Sequence, residues 1–205
     1  MSKSVMSSIQ PYYVFLIIAK KMGWDIPQEK RIEVRKDYPK DTAWNKTVHI
    51  YCSKNRKSFK RIPKEYQPLM KKFLGKVIGE FVCDKVDEYN FNSNLTKFNN
   101  WGLPIGTYSS YLIFEDDYNA MCLTYEEVKA YGKGKTLYGL HISDLVIYDT
   151  LKDLREFKGA KICPDWENDD SFDNTENCYN CEHYVGCNGY LPLTTPPMSW
   201  YYVEA

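Results

Sequence analysis

The sequence of 205 residues lacks net charge, since 27 lysines and arginines stand against 27 aspartates and glutamates. It therefore has no global positive field to steer it onto nucleic acid, and any contact with a polyanion must come from a local patch. It also lacks a run of about 20 apolar residues, the length a bilayer-spanning helix requires. The apolar stretch from Tyr12 to Ala19 is short and ends at Lys20-Lys21, and no small-residue cleavage site of a secretory signal follows it. The expectation is a cytoplasmic protein with a buried first helix and no membrane contact. No internal repeat is present.

What is abundant is aromatic: 18 tyrosines and 5 tryptophans. Large amphipathic rings fill a core or stack on planar ligands. The charge, though balanced, is uneven. Residues 54–76 hold nine lysines and arginines against one acid, Glu65, and residues 163–187 hold seven acids and no base. The length suits one domain with an appendage.

Element signals alternate along the chain. Residues 1–6 read as a loose tail and residues 7–10 as a short first strand. Pro11 suits the first turn of a helix, where its missing N–H costs nothing, and this helix stops near Gly23. Strands are expected over 47–52, 76–86, 137–142, 145–148 and 199–203, with a helix over 63–73 and a capping box at Thr124–Glu127 that opens another. Gly79 marks a bulge or a close backbone approach. Residues 88–113 read as an irregular insertion and 158–192 as a polar, Cys-containing one. About six strands and three helices with long connections suit an α+β fold, a small mixed β-barrel with helices packed outside.

The most unusual of these strands is the segment from Glu29 to Lys36, in which six of eight residues are charged. Alternation places Arg31, Glu33 and Arg35 on one face and Lys30 on the other. Glu33 and Arg35 either reach one bound group or pair with each other. An Arg fork holds a phosphate or carboxylate, and a Glu accepts from the exocyclic amine of a base. Lys30 joins them only if a bulge or twist turns it, and acts as a base only if burial or nearby cations depress its pKa. Tyr51, Trp200 and the Tyr12-Tyr13 pair are candidate stacking platforms, with the hydroxyl of Ser199 beside Trp200. His141, in an apolar strand, reads as a core histidine.

Four cysteines, Cys163, Cys178, Cys181 and Cys187, crowd into 25 residues with x14, x2 and x5 between them. Tetrahedral zinc thiolates need such short spacings on turns. A structural zinc, with His183 able to replace one thiolate, would explain how a segment so poor in apolar residues folds. Disulfides or an iron–sulfur cluster are the alternatives. Cys52, Cys83 and Cys122 lie in apolar context and read as inert buried thiols.

Three places resemble the ASCH domain family of the PUA-like superfamily. They are Ser8-Ile9-Gln10-Pro11-Tyr12-Tyr13 with the hydrophobic helix after it, the Lys-x-x-Glu-x-Arg pattern of Lys30, Glu33 and Arg35, and Gly139–Leu145 together with Pro196–Val203. The resemblance implies a single PUA-like domain over 7–203 that binds RNA or a nucleotide-like ligand in a cleft walled by the charged strand. Some members of that family hydrolyse N4-acetylcytidine with a Lys and a Thr of this strand. Lys30 stands at the Lys position, whereas Glu33 stands where those hydrolases carry Thr. The sequence thus points to RNA or nucleotide binding through Glu33, Arg35, Tyr51, Ser199 and Trp200. The alternatives are an amidohydrolase on N4-acylated cytidine using Lys30 and Glu33, and an adaptor that meets a protein partner through its Cys-rich insertion.

Overall fold

The computed structural model describes residues 4–38, 46–90, 96–98, 104–107, 111–162 and 190–204. In chain order the elements are β1 (Ser4–Ile9), α1 (Pro11–Ile18), β2 (Ile32–Arg35), β3 (Lys46–Cys52), α2 (Arg56–Phe59), α3 (Gln67–Phe73), β4 (Val77–Cys83), β5 (Val86–Asn90), β6 (Thr96–Phe98), β7 (Pro104–Thr107), α4 (Tyr111–Met121), α5 (Tyr125–Gly132), β8 (Leu137–His141), β9 (Ser143–Lys152), β10 (Lys158–Ile162), β11 (Tyr190–Pro192) and β12 (Trp200–Glu204).

The strands form two sheets. One has seven strands in the order β11-β10-β12-β1-β3-β4-β9, and the other five in the order β2-β8-β5-β6-β7. Among the described residues neither closes on itself, so the expected barrel is here a pair of open sheets in an α+β fold. They share a corner. The β4–β9 ladder, which ends with Val82 opposite Ser143, continues past Asp84-Lys85 and Ile142 into the β5–β8 ladder, which begins with Val86 opposite Leu140. The His141 N–H bond to the Lys85 carbonyl (2.9 Å) and the Ser143 hydroxyl bond to the Val82 carbonyl (2.8 Å) pin the bend.

That corner corrects the single strand expected over 76–86, which is two strands in different sheets. The first strand also begins earlier than expected, at Ser4, because Val5 and Met6 are buried between the flanking strands β12 and β3. The SWYYV segment does not close an edge but lies between β10 and β1. Gly79 is a close approach: a Cβ there would stand 2.2 Å from the Val146 carbonyl oxygen, and the β4–β9 register shifts beside it.

Helix α1 opens on Pro11 and buries Val14, Phe15, Leu16, Ile17 and Ile18. A short helix apolar on every side must be enclosed, and it packs into the main core with Val5, Ile9, Val48, Ile50 and Ile78. Gly23 ends its following turn with φ +68°. The expected helix over 63–73 is confined to Gln67–Phe73, and α2 precedes it, its Asn55 side chain capping the Ser58 N–H. Thr124 and Glu127 form the expected capping box of α5. The opposite face of the seven-stranded sheet carries a separate core of Met6, Tyr51, Val77, Leu154, Phe157 and Val203.

Cys52, Cys83 and Cys122 are buried free thiols, as expected, and burial pushes Cys52 and Cys83 up to about 12. Cys163, Cys178, Cys181 and Cys187 lie outside the described residues, as does His183. Among the described residues no group of His, Cys, Asp and Glu could hold a metal ion, and no helix is long and apolar enough to cross a membrane.

Candidate ligand-binding site

The site grows from β2, a strand of only four residues, all of them buried. Alternation sends Ile32 and Val34 to a core shared with Met121, Val128 and Leu137. Glu33 and Arg35 face the other way, toward β1. Arg35 Nη2 lies 3.0 Å from Glu33 Oε1, donates to Ser7 Oγ at 2.9 Å and donates to the Ser8 carbonyl at 2.9 Å. The two do pair, but not on a solvent-facing strand: Glu33 is 6% and Arg35 7% exposed.

Lys30 corrects the simple alternation. Residues 30 and 31 precede the strand, and their main chain bonds to other elements: Lys30 N–H to Leu16 O, Arg31 N–H to Ala120 O, and Arg31 O from Ile142 N–H. Freed from the pleat, Lys30 turns onto the Glu33 side, its Nζ 3.5 Å from Glu33 Oε2. It is no surface lysine, being 2% exposed. Its ammonium donates to the Met121 carbonyl at 2.8 Å, at the C-terminal end of α4, where the helix dipole favours a cation. Burial lowers the Lys30 pKa below the ordinary 10.5, against the raising pull of Glu33. Cation, carboxylate and guanidinium thus form one buried row, Lys30–Glu33–Arg35. Within it Arg35 Nε is buried with no hydrogen-bond partner.

Around the row stand the Tyr12-Tyr13 pair, which the sequence offered as a stacking platform, and groups it did not single out. Tyr13 places its ring 5.0 Å from Lys30 Nζ, and burial raises its hydroxyl pKa while a hydrogen bond with Arg61 lowers it. Arg61 lies 4.0 Å over the Tyr12 ring and 3.9 Å from Glu127 Oε1 on α5. Tyr131, also on α5, is close enough that burial, then Arg35 and Glu33, set its hydroxyl pKa, which is raised. Ser7 and Tyr131 come from separate elements, and no local pattern marks them as neighbours of Arg35.

The expected stacking residues divide. Trp200 lies directly opposite Ser7 in the β1–β12 ladder, so the two share a face, and its ring stands edge-on to Tyr202 at 5.3 Å. Ser199 contributes its carbonyl, which accepts from Ser8 N–H at 3.1 Å. Tyr51 does not belong to the site. It is buried in the core on the far side of the seven-stranded sheet, because it alternates with Ile50 and Cys52, which face α1. His141 is a satisfied histidine, although only partly buried: its Nε2 is 2.8 Å from Oδ2 of the fully buried Asp87, and Lys85 approaches the same carboxylate at 3.1 Å.

A second polar cluster lies on the far face. His49 Nδ1 is 2.9 Å from Tyr148 Oη and 3.2 Å from Glu80 Oε2, and its Nε2 is 3.1 Å from Ser4 Oγ. Burial lowers the His49 pKa below 6.5, more than Glu80 raises it. In the folded state the ring therefore binds fewer protons than in the unfolded chain as pH falls through 6.5. Its contribution is complete above that pH and declines below it. Urea unfolding between about pH 7.5 and pH 5 is expected to show stability falling toward acid, with a shallower fall in His49→Gln. An unchanged slope in the variant would rule this histidine out as its source.

No protein-family model matches the sequence, and no curated protein matches it. Among solved structures the chain is similar to an ASCH protein from Zymomonas mobilis, at 12% identity and TM-score 0.49 over 100% of this chain and 90% of that one. It is similar also to a serine-to-alanine mutant of that protein, at 12% identity and TM-score 0.50 over 99% of this chain and 89% of that one. The chain has the ASCH fold.

Proposed function

We propose that this protein binds RNA or a nucleotide-like ligand at the Lys30–Glu33–Arg35 row. The observation that carries the reading is a buried guanidinium N–H without an acceptor, Arg35 Nε, inside a row of three buried charges. Burying charge is costly, and a buried donor left unpaired costs more. A ligand oxygen supplies the missing acceptor, and Glu33 offers a carboxylate to a base amine. The ASCH fold and the Lys-x-x-Glu-x-Arg strand support the same reading.

Beside the row runs a basic shoulder. Lys54, Arg56, Lys57, Lys60 and Lys64 are exposed, and among the described residues no carboxylate pairs with them. It gives a phosphate backbone a path to the site although the whole chain is neutral. Single-stranded RNA is expected to bind at low salt and to be released steeply as salt rises, because each phosphate contact frees counterions. Fluorescence anisotropy across a salt series measures this, and absence of binding to any RNA at low salt would end the proposal.

A second reading has its own observation. A buried lysine with a lowered pKa, 3.5 Å from a carboxylate, is equipped to move a proton. In an amidohydrolase acting on N4-acylated cytidine, Lys30 would activate a water and Glu33 would relay the proton. Turnover of N4-acetylcytidine that is lost in Lys30→Ala would favour hydrolysis over binding alone, and no turnover at high enzyme concentration would remove it.

A further inference from the structure

We infer that Arg61 is the phosphate-reading residue of this site, so that the site takes a phosphorylated nucleoside or an RNA residue in preference to a free nucleoside. The inference rests on the ligand-binding reading above and specifies which part of the ligand the protein demands.

Arg61 is the point where the outer basic shoulder meets the inner row. Its main chain is fixed by an N–H bond to Ser58 O at 3.1 Å, and Ser58 Oγ in turn accepts the Tyr12 N–H at 3.1 Å. The turn after α2 is thereby tied to the start of α1. From that anchor the guanidinium lies over the Tyr12 ring and stands 5.7 Å from the Tyr13 ring centre. Lys30 Nζ lies 5.0 Å from the same ring centre. Tyr13 is therefore the common neighbour of a buried cation and a half-exposed one.

The remaining partner of Arg61 is weak. Glu127 Oε1 lies 3.9 Å away, both side chains are 45% exposed, and the other oxygen of that carboxylate is occupied by the Thr124 N–H at 2.9 Å. An exposed pair at that distance contributes little and is screened by salt. The guanidinium lies over an aromatic face, with a loosely held carboxylate standing where an anion would sit. A phosphate dianion accepts two parallel N–H bonds from such a fork and displaces Glu127 readily. Tyr12 and Tyr13 keep the fork oriented, so little rotamer freedom is lost on binding.

Isothermal titration of the wild type with ribonucleosides and with their 5′-monophosphates tests this. The monophosphates are expected to bind about tenfold tighter or more, the size of one charge-assisted fork contact. Arg61→Ala should erase that gap while leaving nucleoside affinity within about twofold. Arg61→Lys, which keeps the charge and loses the fork, should restore only part of it, and Glu127→Gln should tighten monophosphate binding alone. Thermal melts of each variant confirm that it is folded. Equal affinity of the wild type for nucleosides and monophosphates, or a gap that survives Arg61→Ala, would overturn the role of Arg61 and leave the ligand site standing. Failure of nucleosides, monophosphates and short RNA alike to bind the wild type would overturn both.

Discussion

Glu33→Ala is expected to lower the stability of the fold by about 3–5 kcal/mol, the usual cost of removing one partner from a buried ion pair. For a chain of this size the melting temperature should fall by about 10 °C. The size follows from what remains behind. Glu33 Oε1 holds Arg35 at 3.0 Å and Oε2 faces Lys30 at 3.5 Å, so one truncation strands two buried cations. Met121 O and Ser7 Oγ still accept from them, but neither carries the opposing charge. Glu33→Gln keeps the shape and one acceptor and should cost less. Replacing all three charges at once, as in Lys30→Met/Glu33→Leu/Arg35→Met, should cost far less than Glu33→Ala alone, because a whole buried ionic cluster exchanges nearly evenly for apolar volume. Urea titration of the three variants gives the comparison. A Glu33→Ala loss within about 0.5 kcal/mol, the range of surface substitutions, would show that water reaches the row.

Arg35→Met is expected to weaken RNA binding at low salt by about 10- to 100-fold, the loss of one or two charge-assisted hydrogen bonds. Methionine retains much of the stem packing but takes from buried Glu33 its partner at 3.0 Å, so the melting temperature should fall as well, and binding is compared at a temperature where both proteins are folded. The companion variant is Lys57→Ala on the shoulder. It should lower affinity for every RNA alike and reduce the salt slope by about one phosphate contact. On the proposed reading the two residues would act on different parts of the ligand. Arg35 lies in the buried row with an unused N–H, whereas Lys57 is exposed and reads only charge. Unchanged binding in Arg35→Met would move the ligand away from the row altogether.

Much of the local structure was legible in the chain. The Pro11 start of α1 and the Thr124–Glu127 capping box are short-range features, and short-range sterics and hydrogen bonds produce them; the close approach at Gly79 and the buried cysteines are long-range contacts that residue type alone announced. The misreadings fall where a distant partner decides. Residues 4–6 looked like tail because nothing local announces that β1 lies between β12 and β3. Residues 76–86 looked like one strand because the turn at Asp84-Lys85 is imposed by the neighbouring β8–β9 corner. Helix α4 begins at the end of the segment read as irregular and runs on through residues assigned no element, and its C-terminal carbonyl is what Lys30 binds. Tyr51 lies on the face away from the row because a strand alternates faces but does not say which face meets β2.

The charged segment at 29–36 shows the division most clearly. By itself the sequence determined that Glu33 and Arg35 share one face of a strand, two residues apart, since the pleat of a strand enforces it. It also determined that the chain is neutral with a basic run at 54–76. Only the tertiary structure decided that this face is buried, that Lys30 leaves the pleat to join it, and that Ser7 of β1, Tyr13 of α1 and Met121 of α4 surround it. Those contacts join residues up to 91 positions apart. Long-range contacts of that kind come from packing two sheets and their helices together, and no window of sequence contains them.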